Sequence, residues 1–449
     1  MKKYIIFIFL FSIFLIAISL YENDKKYENT IEEELKIFTY FCPEDYCKYI
    51  LISYIKNSSE IKCAFYELNL NDIIELLKTK NSEIIIEDST YKKNKNLYID
   101  TFSNSSNRNY SFLSGFSKAL MHNKFCIFDK KIVFTGSMNP TFNDNYLNDN
   151  NILIIESKKL AELFLDEFYE LKNNIYGKGK KSGNNIIYFN KTKIEVYFCP
   201  EDNCQYQVFK KIENAKHNIY FMTFSFTDYE IAYTLLNNKI KKNLTIIGVY
   251  DSSQISNYST YYILKNFSIL DKNEYKMHNK VFIIDNKTIL TGSYNPTKNA
   301  NFYNDENLII IEDRDIAQKY LKNFFKVYNQ IPLDEQINNI NDKTFIKSDD
   351  LIIKSILPNP IGNDKNNEKI EIYNPTDKNI DLAYYKISNG KNIQQLNGNI
   401  KTNQSLNIIP KYPLQNKKGA IYLIKMNQII DYVKWNFDNN LEGISITKI

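Results

Sequence analysis

Short apolar runs alternate along the chain with stretches whose apolar positions return every three or four residues, and the whole series is played twice. The first pass predicts a strand over 36–41, a helix over 49–55, a strand over 62–67, a helix over 71–78 and a strand over 82–87. The second pass repeats it with strands over 194–198, 218–224 and 244–250 and helices over 207–212 and 228–237. Each pass closes with a strand and a helix, over 152–171 and 308–327. Strands alternating with helices imply α/β sheets with helices on their faces. Two tandem lobes result, 36–171 and 186–328, joined by a Lys-, Gly- and Asn-rich linker over 172–185. After a second low-complexity stretch, 329–350, the pattern shortens to alternating strands with Pro, Gly and Asn turns, so 351–449 is read as all-β.

The repeat is sharpest where its chemistry lies. MHNKFCIFDKKIVFTGSMNPT begins at Met121, and MHNKVFIIDNKTILTGSYNPT begins at Met277. The turn FCPEDYC at Phe41 returns as FCPEDNC at Phe198, at nearly the same offset, so the duplication covers whole lobes. The protein has 3 histidines, and two of them are His122 and His278. In an extended strand residues i and i+2 share a face, which sets Lys124 beside His122 and Lys280 beside His278. A hairpin turning at Asp129 or Asp285 then returns Gly136, Ser137 and Asn139, or Gly292, Ser293 and Asn295, towards that face. The glycines are expected to let backbone approach a ligand, and Ser and Asn to supply hydrogen bonds. Two such clusters facing each other would hold an anion between two imidazoles, and phosphate fits best.

Both copies match His-x-Lys-x4-Asp-x6-Gly-Ser-x-Asn, and the chain thereby resembles the phospholipase D superfamily. The resemblance implies two similar α/β lobes in one chain that share one active site. It also implies phosphodiester hydrolysis without a metal or other cofactor, through a covalent phosphohistidine, and a largely structural part for Asp129 and Asp285. The substrate stays open between phospholipid and nucleic acid, transfer to an alcohol uses the same intermediate, and a non-catalytic phosphate-binding or adhesion protein is the rival of another class. The final hundred or so residues resemble a lamin-tail domain, an immunoglobulin-like β-sandwich, through Asn359-Pro360, Glu368, Glu371-Ile372-Tyr373-Asn374, Asp381-Leu382 and Asp431-Tyr432-Val433. Such a module binds or positions, with a surface or polymer as its partner.

One asymmetry separates the lobes. NDENLIII follows the second motif and NDNNILII the first, so Glu306 aligns with Asn150. The resemblance implies that an acidic residue here hydrogen-bonds the catalytic histidine. A carboxylate beside an imidazole raises its basicity. His278 is therefore expected to be the more basic ring, protonating the leaving group, while neutral His122 attacks phosphorus. Asp149 could supply the missing charge in lobe one. The lysines and Asn139, Asn295, Ser137 and Ser293 would bind the nonbridging oxygens.

Composition adds little. A net charge of +5 over 449 residues says nothing decisive about partners, and abundant Lys, Asn and Ile with only Arg108 and Arg314 look like a codon bias. The N-terminus says more: Lys2 and Lys3 precede an apolar run over 4–20, with Ala17 and Ser19 spaced as at a signal-peptidase site. Residues 1–20 are read as a signal peptide or a membrane anchor, placing the rest outside the cytoplasm. In that compartment the duplicated pairs Cys42/Cys47 and Cys199/Cys204 favour a local disulfide in each lobe, with free thiols or a metal site as alternatives. Cys63 and Cys126, unduplicated and in apolar strands, are expected to be core packing. His217 reads as solvated surface. The polar segments 91–117 and 252–273 are expected to be loops, the first near the site mouth. Two motifs per chain remove the need for a dimer to complete the site.

Overall fold

The structure, a computed structural model, describes residues 30–31, 35–99, 109–115, 120–183, 185–340, 350–364, 366–437 and 442–448. The N-terminal apolar run, expected to be a signal or anchor, lies outside them.

Lobe one is a seven-stranded mixed sheet in the order Lys36–Cys42, Asn150–Glu156, Ile132–Gly136, Lys124–Phe128, Glu60–Phe65, Asn81–Glu87, Tyr110–Gly115. Lobe two repeats that order with Thr192–Cys199, Glu306–Glu312, Thr288–Gly292, Lys280–Ile284, Asn218–Thr223, Thr245–Tyr250 and Ser268–Leu270. It extends the first edge with Ile186–Phe189, on which Thr30–Ile31 pairs in parallel. The central strands are buried on both faces, which is why they read as unbroken apolar runs. The helices Cys47–Asn57 and Asn71–Lys78 cover one face in lobe one, and Cys204–Glu213 and Tyr229–Lys241 do so in lobe two.

The opposite faces meet. Helices Lys158–Lys172 and Arg314–Tyr328 fill one shared core between the two sheets. Each reaches across the interface, Phe164 onto Phe198 of lobe two and Tyr320 onto Phe41 of lobe one, both with ring centroids 5.1 Å apart. Burying a ring of this size stabilises by about 2–3 kcal/mol, so exchanged aromatics hold the lobes in one orientation.

Two expectations need correction. Cys63 and Cys126 are disulfide-bonded, in addition to Cys42–Cys47 and Cys199–Cys204. They lie directly opposite on adjacent antiparallel strands, a pairing that separate readings of the two strands could not reveal. The segments expected to be loops carry structure as well: a helical turn at Lys95–Tyr98 and edge strands Tyr110–Gly115 and Ser268–Leu270. Residues 100–108 of the first lie outside the described residues.

Beyond 350 the chain forms two four-stranded antiparallel sheets and a two-stranded one. Ile353, Ile356, Ile370 and Ile372 of one large sheet share a core with Ile387, Ile421, Leu423 and Val433 of the other. This unit is tied to both lobes. Tyr384, almost fully buried, packs against Tyr46 and Tyr146, Asp381 accepts hydrogen bonds from Tyr49 and Tyr146, and Asn427 donates to Asn273 of lobe two at 2.6 Å.

Candidate active site

The lobes are sewn together at the motifs by a pair of reciprocal bridges. His122 N donates to Asp305 O at 2.9 Å and His278 N to Asp149 O at 2.8 Å, within parallel bridges Met121–Asp305 and Asp149–Met277. Four buried asparagines complete the symmetry. Asn151 donates to Asn279 at 2.8 Å and Asn307 to Asn123 at 2.9 Å. Thr291 and Thr135 donate back to Asn151 and Asn307, each at 2.9 Å. These asparagines were missed in the sequence, although each is duplicated at an equivalent place, inside both His-Asn-Lys triplets and after Asn150 and Glu306.

Both catalytic-type imidazoles line one cavity of about 1120 Å³ between the lobes. Tyr66 packs edge-on against His122 at 5.1 Å, and Phe224, its counterpart, against His278 at 4.7 Å. Lys124 and Lys280 are buried beneath, each donating to the carbonyl of its own histidine at 2.7 Å. Neither ammonium has an ion-pair partner among the described residues. Burial pushes Lys124 down to about 8, and burial together with the charge of Lys124 pushes Lys280 well below the usual lysine range. Burial likewise lowers both histidines, His278 the further. Four groups that gain charge on protonation thus crowd one pocket, and an anion among them would raise all four.

The partners of the two rings reverse the expectation. Glu306, fully buried, takes the Nδ1–H of His122 at 2.7 Å, across the interface. His278 Nδ1 instead donates to the amide oxygen of Asn150 at 2.9 Å. The Asn150 orientation follows from its own NH2 group, which donates to Asp144 O. The alignment of Glu306 with Asn150 was sound. Its error was to give each residue to the histidine of its own lobe, whereas the lobes exchange these strands' ends. Nor does Asp149 supply the charge expected for lobe one: its carboxylate accepts from Asn273 and Gln330, and the carboxylate on His122 is Glu306. The carboxylate facing His278 is Asp144, 3.5 Å from Nδ1.

Other predicted site residues sit elsewhere. Asp129 and Asp285 occupy the far turns, where two successive residues take positive φ, as a two-residue hairpin requires. Asp129 accepts from the Ser59 and Glu60 N–H groups, and Asp285 from those of Lys216, His217 and Asn218. Gly136 and Gly292 serve packing and not a ligand: a Cβ on either would lie 2.3 Å from the carbonyl oxygen of Asn151 or Asn307. Ser137 and Ser293 are buried and hold those same neighbouring strands, Ser137 donating to Asn150 Oδ1 and both accepting from backbone N–H groups. Asn139 and Asn295 do line the cavity. The NH2 group of Asn139 gives one of its two N–H donors to Asp144, whereas Asn295 uses its amide oxygen, which accepts from Ser225 N at 3.4 Å. His217 is exposed, as expected.

Paired imidazoles on one anion-seeking pocket, built by twofold-related lobes, define a phosphate-chemistry enzyme. Comparison with known proteins narrows this. A family model described as "Cardiolipin synthase, PLD-like domain" matches twice, over 44–172 and 208–328. A phospholipase D of Rickettsia prowazekii is 30% identical over 172 residues, 36% of this chain and 84% of that protein. A mitochondrial cardiolipin hydrolase of Mus musculus is 48% identical over 48 residues, 11% of this chain and 22% of that protein. The crystal structure of a phosphatidylserine synthase from Haemophilus influenzae superposes with TM-score 0.50 at 11% identity, over 69% of this chain and 89% of that one, a likeness of fold. The chain belongs to the phospholipase D superfamily, and it is a phosphodiester hydrolase.

Proposed function

We propose that the protein cleaves phosphodiesters outside the cytoplasm through a phosphohistidine on His122. The observation that carries this reading is the pair of imidazoles lining one cavity, with Lys124 and Lys280 buried beneath them and bonded to the histidine carbonyls. With Nδ1–H held by Glu306, His122 presents the Nε2 lone pair to phosphorus, and the carboxylate stabilises the cationic ring that results. The Nε2–P bond forms as the P–O bond to the leaving group breaks, and His278 gives that oxygen a proton. In the second step His278 takes a proton from water, the water oxygen bonds phosphorus, and the P–N bond returns its electrons to His122. Lys124, Lys280 and Asn295 hold the nonbridging oxygens. The substrate's own negative charge offsets the burial that otherwise strips His278 of its proton.

For substrate, the cavity lining favours a phosphate flanked by polar groups. Asn69, Asn143, Asn299 and Thr227 line it, with Lys93, Lys276 and Lys298, and exposed Tyr229, Tyr258 and Phe302 offer faces on which bases stack. A single nucleic-acid strand suits that lining. A phospholipid headgroup is the second reading, supported by relatives named phospholipase D and cardiolipin hydrolase. Export is supported by three disulfides, which persist in oxidising compartments. We assign the C-terminal unit to a lamin-tail-like module that binds a surface or polymer. Hydrolysis of labelled single- and double-stranded DNA and of cardiolipin and phosphatidylcholine vesicles, all in EDTA, tests the whole. Strand cleavage that vanishes in His122→Asn and His278→Asn is expected. Cleavage of vesicles alone would select the second reading, and loss of all activity in EDTA would overturn the mechanism.

A further inference from the structure

We propose that Asp144 is the positioning carboxylate of His278, doing from within lobe one what Glu306 does for His122 from lobe two. The inference rests on the phosphohistidine reading above. It begins with two linked departures from the repeat. Where lobe two has Ala300 and Glu306, lobe one has Asp144 and Asn150. Asn150 holds the Nδ1–H of His278 at 2.9 Å but brings no charge. Asp144 brings the charge, with Oδ2 3.5 Å from the same nitrogen, and Asn150 NH2 anchors Asp144 by its backbone carbonyl at 3.1 Å. The carboxylate has moved by six positions in sequence and stayed beside the ring.

Its surroundings fix it there. Asn139 N and Nδ2 both donate to Oδ2 at 2.8 Å, and Asn148 Nδ2 donates to Oδ1 at 2.7 Å. Although burial opposes ionisation, His278 and these donors hold Asp144 below the usual carboxylate range. The other charged groups facing His278 are Lys280 on its own strand and Lys124 and His122 from lobe one, all of which oppose its protonation. Asp144 acts for it. The same bonds commit one N–H of Asn139 to Asp144, which has no counterpart at Ala300 beside Asn295, so the two half-sites are inequivalent.

An acid matters in proportion to how badly the leaving group needs a proton. The test therefore compares a phosphodiester with an alkoxide leaving group, a dinucleotide, against bis(p-nitrophenyl) phosphate, whose leaving group departs unprotonated. An opposite charge at this range shifts a pKa by roughly 1–3 units. Asp144→Ala should lower kcat on the dinucleotide by about tenfold or more near neutral pH and move the alkaline limb of its kcat profile acidward by about one unit. The loss on the nitrophenyl ester should be much smaller. Asp144→Ala/Asn150→Glu, which rebuilds the lobe-two arrangement, should restore both the rate and the limb. Equal losses on the two substrates, or a folded double variant no better than Asp144→Ala, would overturn the assignment. His278→Asn separates the two levels: if it keeps dinucleotide turnover the mechanism itself fails, and if it is inactive while Asp144→Ala keeps its limb only this inference fails.

Discussion

Glu306→Gln removes one charge and almost nothing else. The amide oxygen can still accept the Nδ1–H of His122, so the tautomer and the ring orientation persist, and residue 306 stays buried. What is lost is a carboxylate in contact with a ring that becomes cationic when phosphorus is bound. At 2.7 Å from a fully buried carboxylate, such a contact is worth roughly 1–3 pKa units, or about 1.4–4 kcal/mol. Applied to the step that makes phosphohistidine, this is a fall in kcat of roughly 10- to 1000-fold. KM should change little, because the ring is neutral in the ground-state complex. Burial already lowers His122, with Glu306 acting against it, so the variant should move the acid limb of kcat/KM to still lower pH. Rapid-quench measurement of kcat and of the accumulated phosphoenzyme reads both effects. A kcat within about twofold of wild type would refute the reasoning, as would a loss expressed wholly in KM.

Lys124 should lose its proton as pH rises through about 8, so kcat/KM is expected to fall above that pH, and a profile flat to pH 10 would contradict it. Lys280→Met should raise the melting temperature while abolishing turnover, since it removes a buried charge that only the substrate would neutralise. Asp129→Ala deletes the acceptor of two backbone N–H groups and should destabilise by about 2 kcal/mol in urea titration with kcat unchanged. Replacing Cys63 and Cys126 by serine opens a loop with sequence separation 63 and should lower stability by about 4 kcal/mol on chain entropy, read from the same titration.

Much of the fold could be read from the sequence because the lobes are periodic and doubled. The helix expected over 71–78 is Asn71–Lys78, and the strand over 82–87 needs one residue more. What escaped was whatever depends on which strands are neighbours. The Cys63–Cys126 bond needs the antiparallel register of two strands far apart in the chain. Glu306 was recognised as an acid for a histidine, but a repeat read along the chain assigns it to its own lobe, and the twofold interface hands it to the other. Gly136 and Ser137 carry motif identity for the same reason: they fit the neighbouring strand at Asn151, a contact with no trace in spacing. Nothing in the spacing of the repeat marks Asp144, which only the fold brings to 3.5 Å from His278.

The central claim is that His122 becomes bonded to phosphorus while His278 handles protons. A substrate labelled at phosphorus, added to His278→Asn and quenched in base, should leave one acid-labile label, which peptide mapping should place on His122, with none retained by His122→Asn. Label on any other residue, or equal trapping by both variants, would contradict the account.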